Sequence, residues 1–268
     1  MSNLRAVYII WYRDLLNFWR NKGRLFASFI MPFLFLVIFG TGLSSSMFLR
    51  GGGIQGEGLN YIQFLFPGIV GMIVLFTAIM WGVSIVWDRE FGFLKEVLVA
   101  PISRTAVALG KTLGGATIAT IQGMVMLIFA PFVGVSLSLG QVLLLIGLMF
   151  IFACSITAMG IFIASRIRTM ETFQVVMQLL LFPMFFLSPA LFPVQNLPSW
   201  LGALVRINPV SYGVDSFRQS ILEPTVAMSD FGMSLFGHTM SIAEDILLVA
   251  LFGIVMVFLA VRSFSTQE

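Results

Sequence analysis

The sequence predicts an all-α membrane protein with six transmembrane helices. Three observations carry that prediction. Six apolar stretches of spanning length occupy most of the 268 residues, charged residues make up only 10% of the chain, and hydrophobic residues make up 59%. A hydrocarbon core of roughly 30 Å takes about 20 helical residues to cross. Lipid offers no hydrogen-bond partners, so each crossing segment must close its own backbone bonds as a helix. Soluble domains typically carry about 25% charged residues, which places this chain in the bilayer. The net charge of +3 calls for no nucleic acid, because basic loops held at an anionic membrane face account for it.

Residues 1–24 form the first unit. Leu4, Val7, Tyr8, Trp11, Leu15, Phe18 and Trp19 recur at three- and four-residue steps, the helical period. Arg5, Arg13 and Arg20 lie broadly opposite. An aromatic face against a basic one suits a helix lying in the membrane interface; a helix packed on a partner is the other reading. The spans follow within residues 25–268, at Leu25–Leu43, Phe64–Val86, Ala108–Val135, Val142–Ile163, Phe173–Phe192 and Ile246–Val261. The first has basic residues before it but no small-residue cleavage site after it, so a retained helix is expected, not a signal peptide. Gly51, Gly52, Gly53, Gly56 and Gly58 predict a flexible loop behind it. Prolines at 183, 189, 193 and 198 interrupt the fifth apolar stretch, so a re-entrant outer element is expected between spans five and six.

Orientation follows from charge. Six spans put both termini on one side. With that side cytoplasmic, all of the 15 Lys and Arg residues except Arg50, Arg206 and Arg218 face inward. Cytoplasmic loops carry the basic excess, so N- and C-termini in the cytoplasm are expected.

Several chemistries lack their residues. No span carries a charge near its centre, where ion-coupled transporters hold carboxylates or histidines. One histidine, His238, and one cysteine, Cys154, provide neither a metal site nor an internal disulfide. Gly110-Lys111-Thr112 reads like the end of a P-loop, but Thr105 stands where that motif needs glycine. No catalytic residue, metal or cofactor is expected in the chain. ATP and magnesium, if used, belong to another polypeptide.

Two segments have internal order. The first reads DREFGFLKEVLVAPISRTAVALGK from Asp88. Phe91, Leu94, Val97 and Leu98 can face the membrane while Glu90, Lys95 and Glu96 face water, and Pro101 ends the element. Glu90, Gly92, Leu94, Glu96, Pro101, Arg104, Gly110 and Lys111 closely resemble the signature after the second span of ABC-2 type export permeases. Phe93-Leu94-Lys95 departs from the Thr-Leu-Glu frequent in that family. The second segment carries Phe192-Pro193, Leu197-Pro198, Trp200, Asn208-Pro209, Tyr212, Asp215 and Arg218, again in the family's order. Asp215 and Arg218 lie three apart and can pair on a helix. They serve either to fix the outer element or to meet substrate.

The resemblance implies six spans per subunit and a dimer of permease subunits, a homodimer by expectation, working with two ATP-binding subunits in the cell's inner membrane. It implies an ATPase-coupling helix after span two, holding Glu90, Gly92, Leu94, Lys95, Glu96, Pro101 and Arg104. The outer re-entrant element would hold Pro193, Asn208, Pro209, Tyr212, Asp215 and Arg218. The substrate path would run along helices two and five, past Phe66, Met72, Phe76, Met177 and Phe185. The 28 Phe and 16 Met suit an adaptable apolar path, and equally suit lipid-facing and packing positions. Residues 19–40, WRNKGRLFASFIMPFLFLVIFG, lean toward the drug-exporter branch, so the expected cargo is amphipathic and drug-like or lipid-linked. Polysaccharide or lipo-oligosaccharide export, ion-coupled transport and a non-transporting scaffold are the alternatives.

Overall fold

The computed structural model describes residues 3–20, 23, 30, 33–38, 61–90, 103–192, 194, 197–222, 232–235 and 238–265. The glycine-rich loop, most of the first apolar stretch and the segment 91–102 lie outside these. Helix α1 covers Asn3–Arg20, and residues 33–38 are helical. Then come α2 (Tyr61–Met80), α3 (Val83–Glu90), α4 (Arg104–Leu127), α5 (Leu139–Arg166), α6 (Met170–Phe186), α7 (Ser199–Ile207), α8 (Pro209–Ile221) and α9 (Ile242–Ser265). A two-residue ladder, β1 (Ser234–Leu235) with β2 (His238–Thr239), pairs Ser234 with Thr239 in antiparallel register. The rest of the described residues are mostly helical, joined by turns.

Among the described residues, three helical stretches are long and apolar enough to cross a membrane: Tyr61–Glu90, Leu139–Arg166 and Ile242–Ser263. The first is interrupted only by a turn at Trp81-Gly82. Helix α6 is apolar but shorter, at 17 residues. Its expected extension to Phe192 does not form. Pro183 sits in its last turns, the Leu187 amide returns to the Pro183 carbonyl at 2.8 Å, and the Ser188 hydroxyl donates to Phe185 O at 2.6 Å. Helix α4 likewise stops at Leu127, ahead of a 3-10 turn at Ala130–Val133 that carries Pro131.

Side-chain caps set the helix starts. Ser103 Oγ accepts from the Ala106 amide to open α4, and Ser138 forms a capping box with Gln141 on α5. Asn208 opens α8 with Pro209 in its first turn. Its Nδ2 also donates to Met184 O at 2.6 Å and Leu187 O at 3.1 Å. Those carbonyls belong to the last turn of α6, where helices leave acceptors unfilled. One residue thus starts α8 and finishes α6.

The core joins α2, α4, α5, α8 and α9 around Phe66, Val74, Met149, Phe152 and Phe217, all buried. Apolar burial drives little association when the surroundings are lipid, so packing and interhelical hydrogen bonds decide. Ser155 Oγ of α5 donates to Val249 O of α9 at 2.8 Å. Ser165 Oγ reaches Ser263 Oγ at 2.6 Å. The Thr77 hydroxyl of α2 donates to Gln122 Oε1 of α4.

Candidate functional site

Buried charge collects at two ends of the helical assembly, marked by the two ends of the long α2–α3 unit. At the α3 end, Asp88 and Lys111 face each other from α3 and α4, with Nζ and Oδ2 2.9 Å apart. Lys111 is 3% exposed. Its Nζ donates to Ser84 Oγ at 3.1 Å and lies 3.7 Å from Asp14 Oδ1. Asp14 is 2% exposed and accepts from Trp81 Nε1 at 3.2 Å. Arg13 stands 3.6 Å from Asp88 and 3.5 Å from Asp14. Two acids and two bases thus balance. An ion buried without its counter-ion costs several kcal/mol.

Helix α1 joins this cluster through a packed face of its own. It lies along α4 and buries Ala6, Ile10, Asp14 and Phe18, a four-residue stripe. Gly110 and Gly114 admit it: a Cβ on Gly110 would sit 2.9 Å from Ile10 Cβ, and one on Gly114 3.1 Å from Asp14 Cβ. Trp11 Nε1 adds a bond to Thr117 Oγ1 at 3.1 Å. Leu4, Tyr8 and Trp19 remain exposed on its outer side.

Next to Asp88, Arg89 turns the other way. Its guanidinium donates to Ile167 O at 2.6 Å and Ser165 O at 2.8 Å, filling carbonyls at the end of α5. Glu90 closes α3 and is exposed, while Arg104 opens α4 and is half-buried. Gly92, Leu94, Lys95, Glu96 and Pro101 lie outside the described residues. A cavity of about 650 Å³ opens beside the charges, lined by Asn17, Phe18, Trp81 and Trp87 among others.

At the α2 end, helix α8 is buried almost throughout. Arg218 is fully buried, donates from Nη2 to Pro189 O and stacks 4.3 Å from the Phe64 ring centroid. Asp215 Oδ2 accepts from the Met233 amide and Gln219 Nε2, each at 3.0 Å. The same Gln219 amide reaches Asp245 Oδ2 of α9 at 3.0 Å and Met240 O at 3.1 Å. Burial pushes the Asp215 carboxyl above its ordinary range, against the pull of Arg218 and the Met233 amide. Burial also draws the Arg218 guanidinium down to about 10. Tyr212 donates to Arg206 O at 2.6 Å and so ends α7. Asn208, Pro209, Tyr212, Asp215 and Arg218 therefore build one element, tied to α2, α6 and α9. Pro193 lies outside the described residues.

Of the residues assigned to a path, Phe66, Met177 and Phe185 are buried inside the protomer, and Met72 and Phe76 are half-buried. Phe76 meets Phe182 and Phe185 edge-on, at 6.0 and 6.3 Å between centroids, which packs α2 against α6. The opposite side of α6 exposes Gln174, Val175, Gln178, Leu179 and Phe186. Sequence reasoning gave no role to Asp14, Trp81, Gln219 or Asp245. An isolated acid in the Ala6–Ile10–Asp14–Phe18 stripe was the available signal for the first.

The chain belongs to the ABC-2 type transporter family, whose model matches residues 5–222. It is 25% identical over 254 residues to the transport permease ycf38 of Cyanophora paradoxa, covering 94% of this chain and 86% of that one. It is 26% identical to the inner membrane transport permease YadH of Escherichia coli strain K12, covering 95% and 90%. It is 24% identical to the daunorubicin resistance ABC transporter permease protein DrrB1 of Streptomyces coeruleorubidus, covering 84% and 77%. The chain is an ABC transporter permease.

Proposed function

We propose that this chain is the membrane subunit of an ATP-driven exporter that moves an amphipathic, drug-like or lipid-linked molecule out of the cell. Two copies of the chain work with two ATPase subunits. The chain crosses the cell's inner membrane six times with both termini in the cytoplasm, so α1, Asp88 and Lys111 lie inside and α7 and α8 outside. Segment 90–104 meets the ATPase.

The observation that carries this reading is the distribution of charge in a chain of this family. Residues 61–87, 139–165, 172–186 and 246–261 hold no charged side chain, and the buried charges gather at the ends of the helices. Such spans provide no carboxylate relay for an ion gradient. Work must then arrive from outside the bilayer, and Asp88 and Lys111 stand at the two stems of segment 90–104. The likeness to a daunorubicin resistance permease favours a drug-like cargo over a polysaccharide.

The exposed face of α6 supports the dimer. Gln174 and Gln178 stand on it, and an amide facing hydrocarbon without a partner costs several kcal/mol. A second copy, or the wet path between two copies, satisfies both amides. The test is reconstitution of the permease with a co-expressed cassette ATPase in liposomes. Uptake of fluorescent daunorubicin should require ATP and the ATPase and survive ionophores. Uptake driven by an ion gradient without the ATPase would overturn the reading.

A further inference from the structure

The two stems of segment 90–104 are locked to each other and to α1 by one ion cluster centred on buried Lys111 and Asp14. Asp88 lies two residues before the segment's first residue and Lys111 seven residues after its last. Their 2.9 Å contact closes the base of the segment. Lys111 also reaches α1 through Asp14 at 3.7 Å, Trp81 Nε1 holds the second Asp14 oxygen, and Arg13 bridges both acids. Arg89 binds the same turn of α3 to the carbonyls of Ser165 and Ile167. Four helices therefore meet at residues 88–89.

Exposed ion pairs are weak and easily broken in water, but a pair held in low dielectric is electrostatically much stronger. A lysine this buried cannot leave its acids without becoming an uncompensated buried charge. A push on the segment thus cannot be absorbed by spreading its stems. It moves α3 and α4 together and carries α1 with them, the rigid-element form of coupling.

We propose that Lys111, clasping Asp88 and Asp14, is the positioning residue that makes energy coupling tight, with α1 as part of the moving unit. This rests on the ATP-driven export reading. Lys111 and Asp88 touch neither cargo nor nucleotide; they act by holding the stems.

The test compares the wild-type complex with Lys111→Met and Asp88→Asn, each purified with its ATPase and reconstituted. The readout is daunorubicin moved per ATP hydrolysed. Lys111→Met and Asp88→Asn should lower this ratio about tenfold. A ratio unchanged in Lys111→Met, or transport and hydrolysis falling in proportion, shows a purely structural role and overturns the proposal. A wild-type complex without ATP-dependent transport rejects the export reading instead. In that event spin labels at Tyr12→Cys and Trp87→Cys, with Cys154→Ala, still test the clasp. The distance distribution should be narrow with Lys111 and broad with Lys111→Met; equal widths overturn it.

Discussion

Gly82 and Gly160 meet with their backbones in contact. A Cβ on Gly82 would stand 2.5 Å from the Gly160 carbonyl oxygen, and one on Gly160 would stand 2.5 Å from Ile79 O. The turn between α2 and α3 therefore rests directly on the C-terminal part of α5. This is the small-residue contact that lets helices approach in lipid, and it fixes where α3 points its charged end.

Gly82→Val or Gly160→Val should accordingly destabilise the fold by about 1–3 kcal/mol or more, since backbone cannot yield as a side chain can. Gly147, where an added Cβ meets nothing within 4 Å, provides the control, and Gly147→Ala should be neutral or slightly stabilising. Thermal unfolding of the purified variants in detergent decides. Equal midpoints for Gly160→Val and Gly147→Ala would refute the contact.

Arg218 holds the outer element through Pro189 O and the Phe64 ring. Arg218→Met removes the cation beside Asp215 and leaves the buried acid less compensated, at roughly 3 kcal/mol or more. Arg218→Lys keeps charge but loses the planar fork and the stacking, so it should fall between. The same melting assay checks the order. An unshifted midpoint in Arg218→Met would show that the guanidinium only fills space.

The three long spans among the described residues were legible because run length and charge-free composition indicate them without knowledge of neighbours. The prolines at 183 and 189 announced a break, but only the return of Leu187 and Ser188 onto α6 places it at Phe186. Asn208-Pro209 carried only the family resemblance in the sequence, and its role in opening α8 comes from the structure. That Asn208 also ends α6 depends on a carbonyl 24 residues earlier in the chain. Asp14 was illegible for a different reason. A buried acid and a wet one look alike in sequence, and only Lys111 and Trp81, brought in from other helices, explain its place. Met177 and Gln178 stand side by side on α6, so helical period alone does not say which faces the protomer's core.

That last distinction predicts a cross-linking pattern. In a Cys154→Ala background, Leu179→Cys, 76% exposed, should form covalent dimers with a short bismaleimide in membranes. Met177→Cys, buried within the protomer, should not. Dimers in both, or in neither, would remove α6 from the subunit contact.

Orientation gives a simpler measurement. Trp200 on α7 is 65% exposed, and Arg168 is exposed between α5 and α6. In intact cells an impermeant maleimide should label Trp200→Cys and spare Arg168→Cys until the membrane is opened. The reverse pattern would invert the proposed topology.

Charge reversal on the proposed docking segment tests the other side of the clasp. Asp88 and Arg89 turn inward to partners, so the first acid of this run left for a partner protein is Glu90, exposed at the end of α3. Glu96 follows on the wet face expected from the sequence. Glu90 forms no ion pair with the Lys111 cluster, so Glu90→Lys should leave the permease folded and its melting temperature close to wild type, and the same is expected of Glu96→Lys. Against a basic ATPase surface, like-charge contact at an interface costs several kcal/mol, so the double reversal should lose most ATPase co-purification and ATP-dependent transport. Loss of binding separates this outcome from Lys111→Met, which should keep the ATPase bound and lower only the transport per ATP. Full binding and full export in the double reversal would remove both carboxylates from the docking surface.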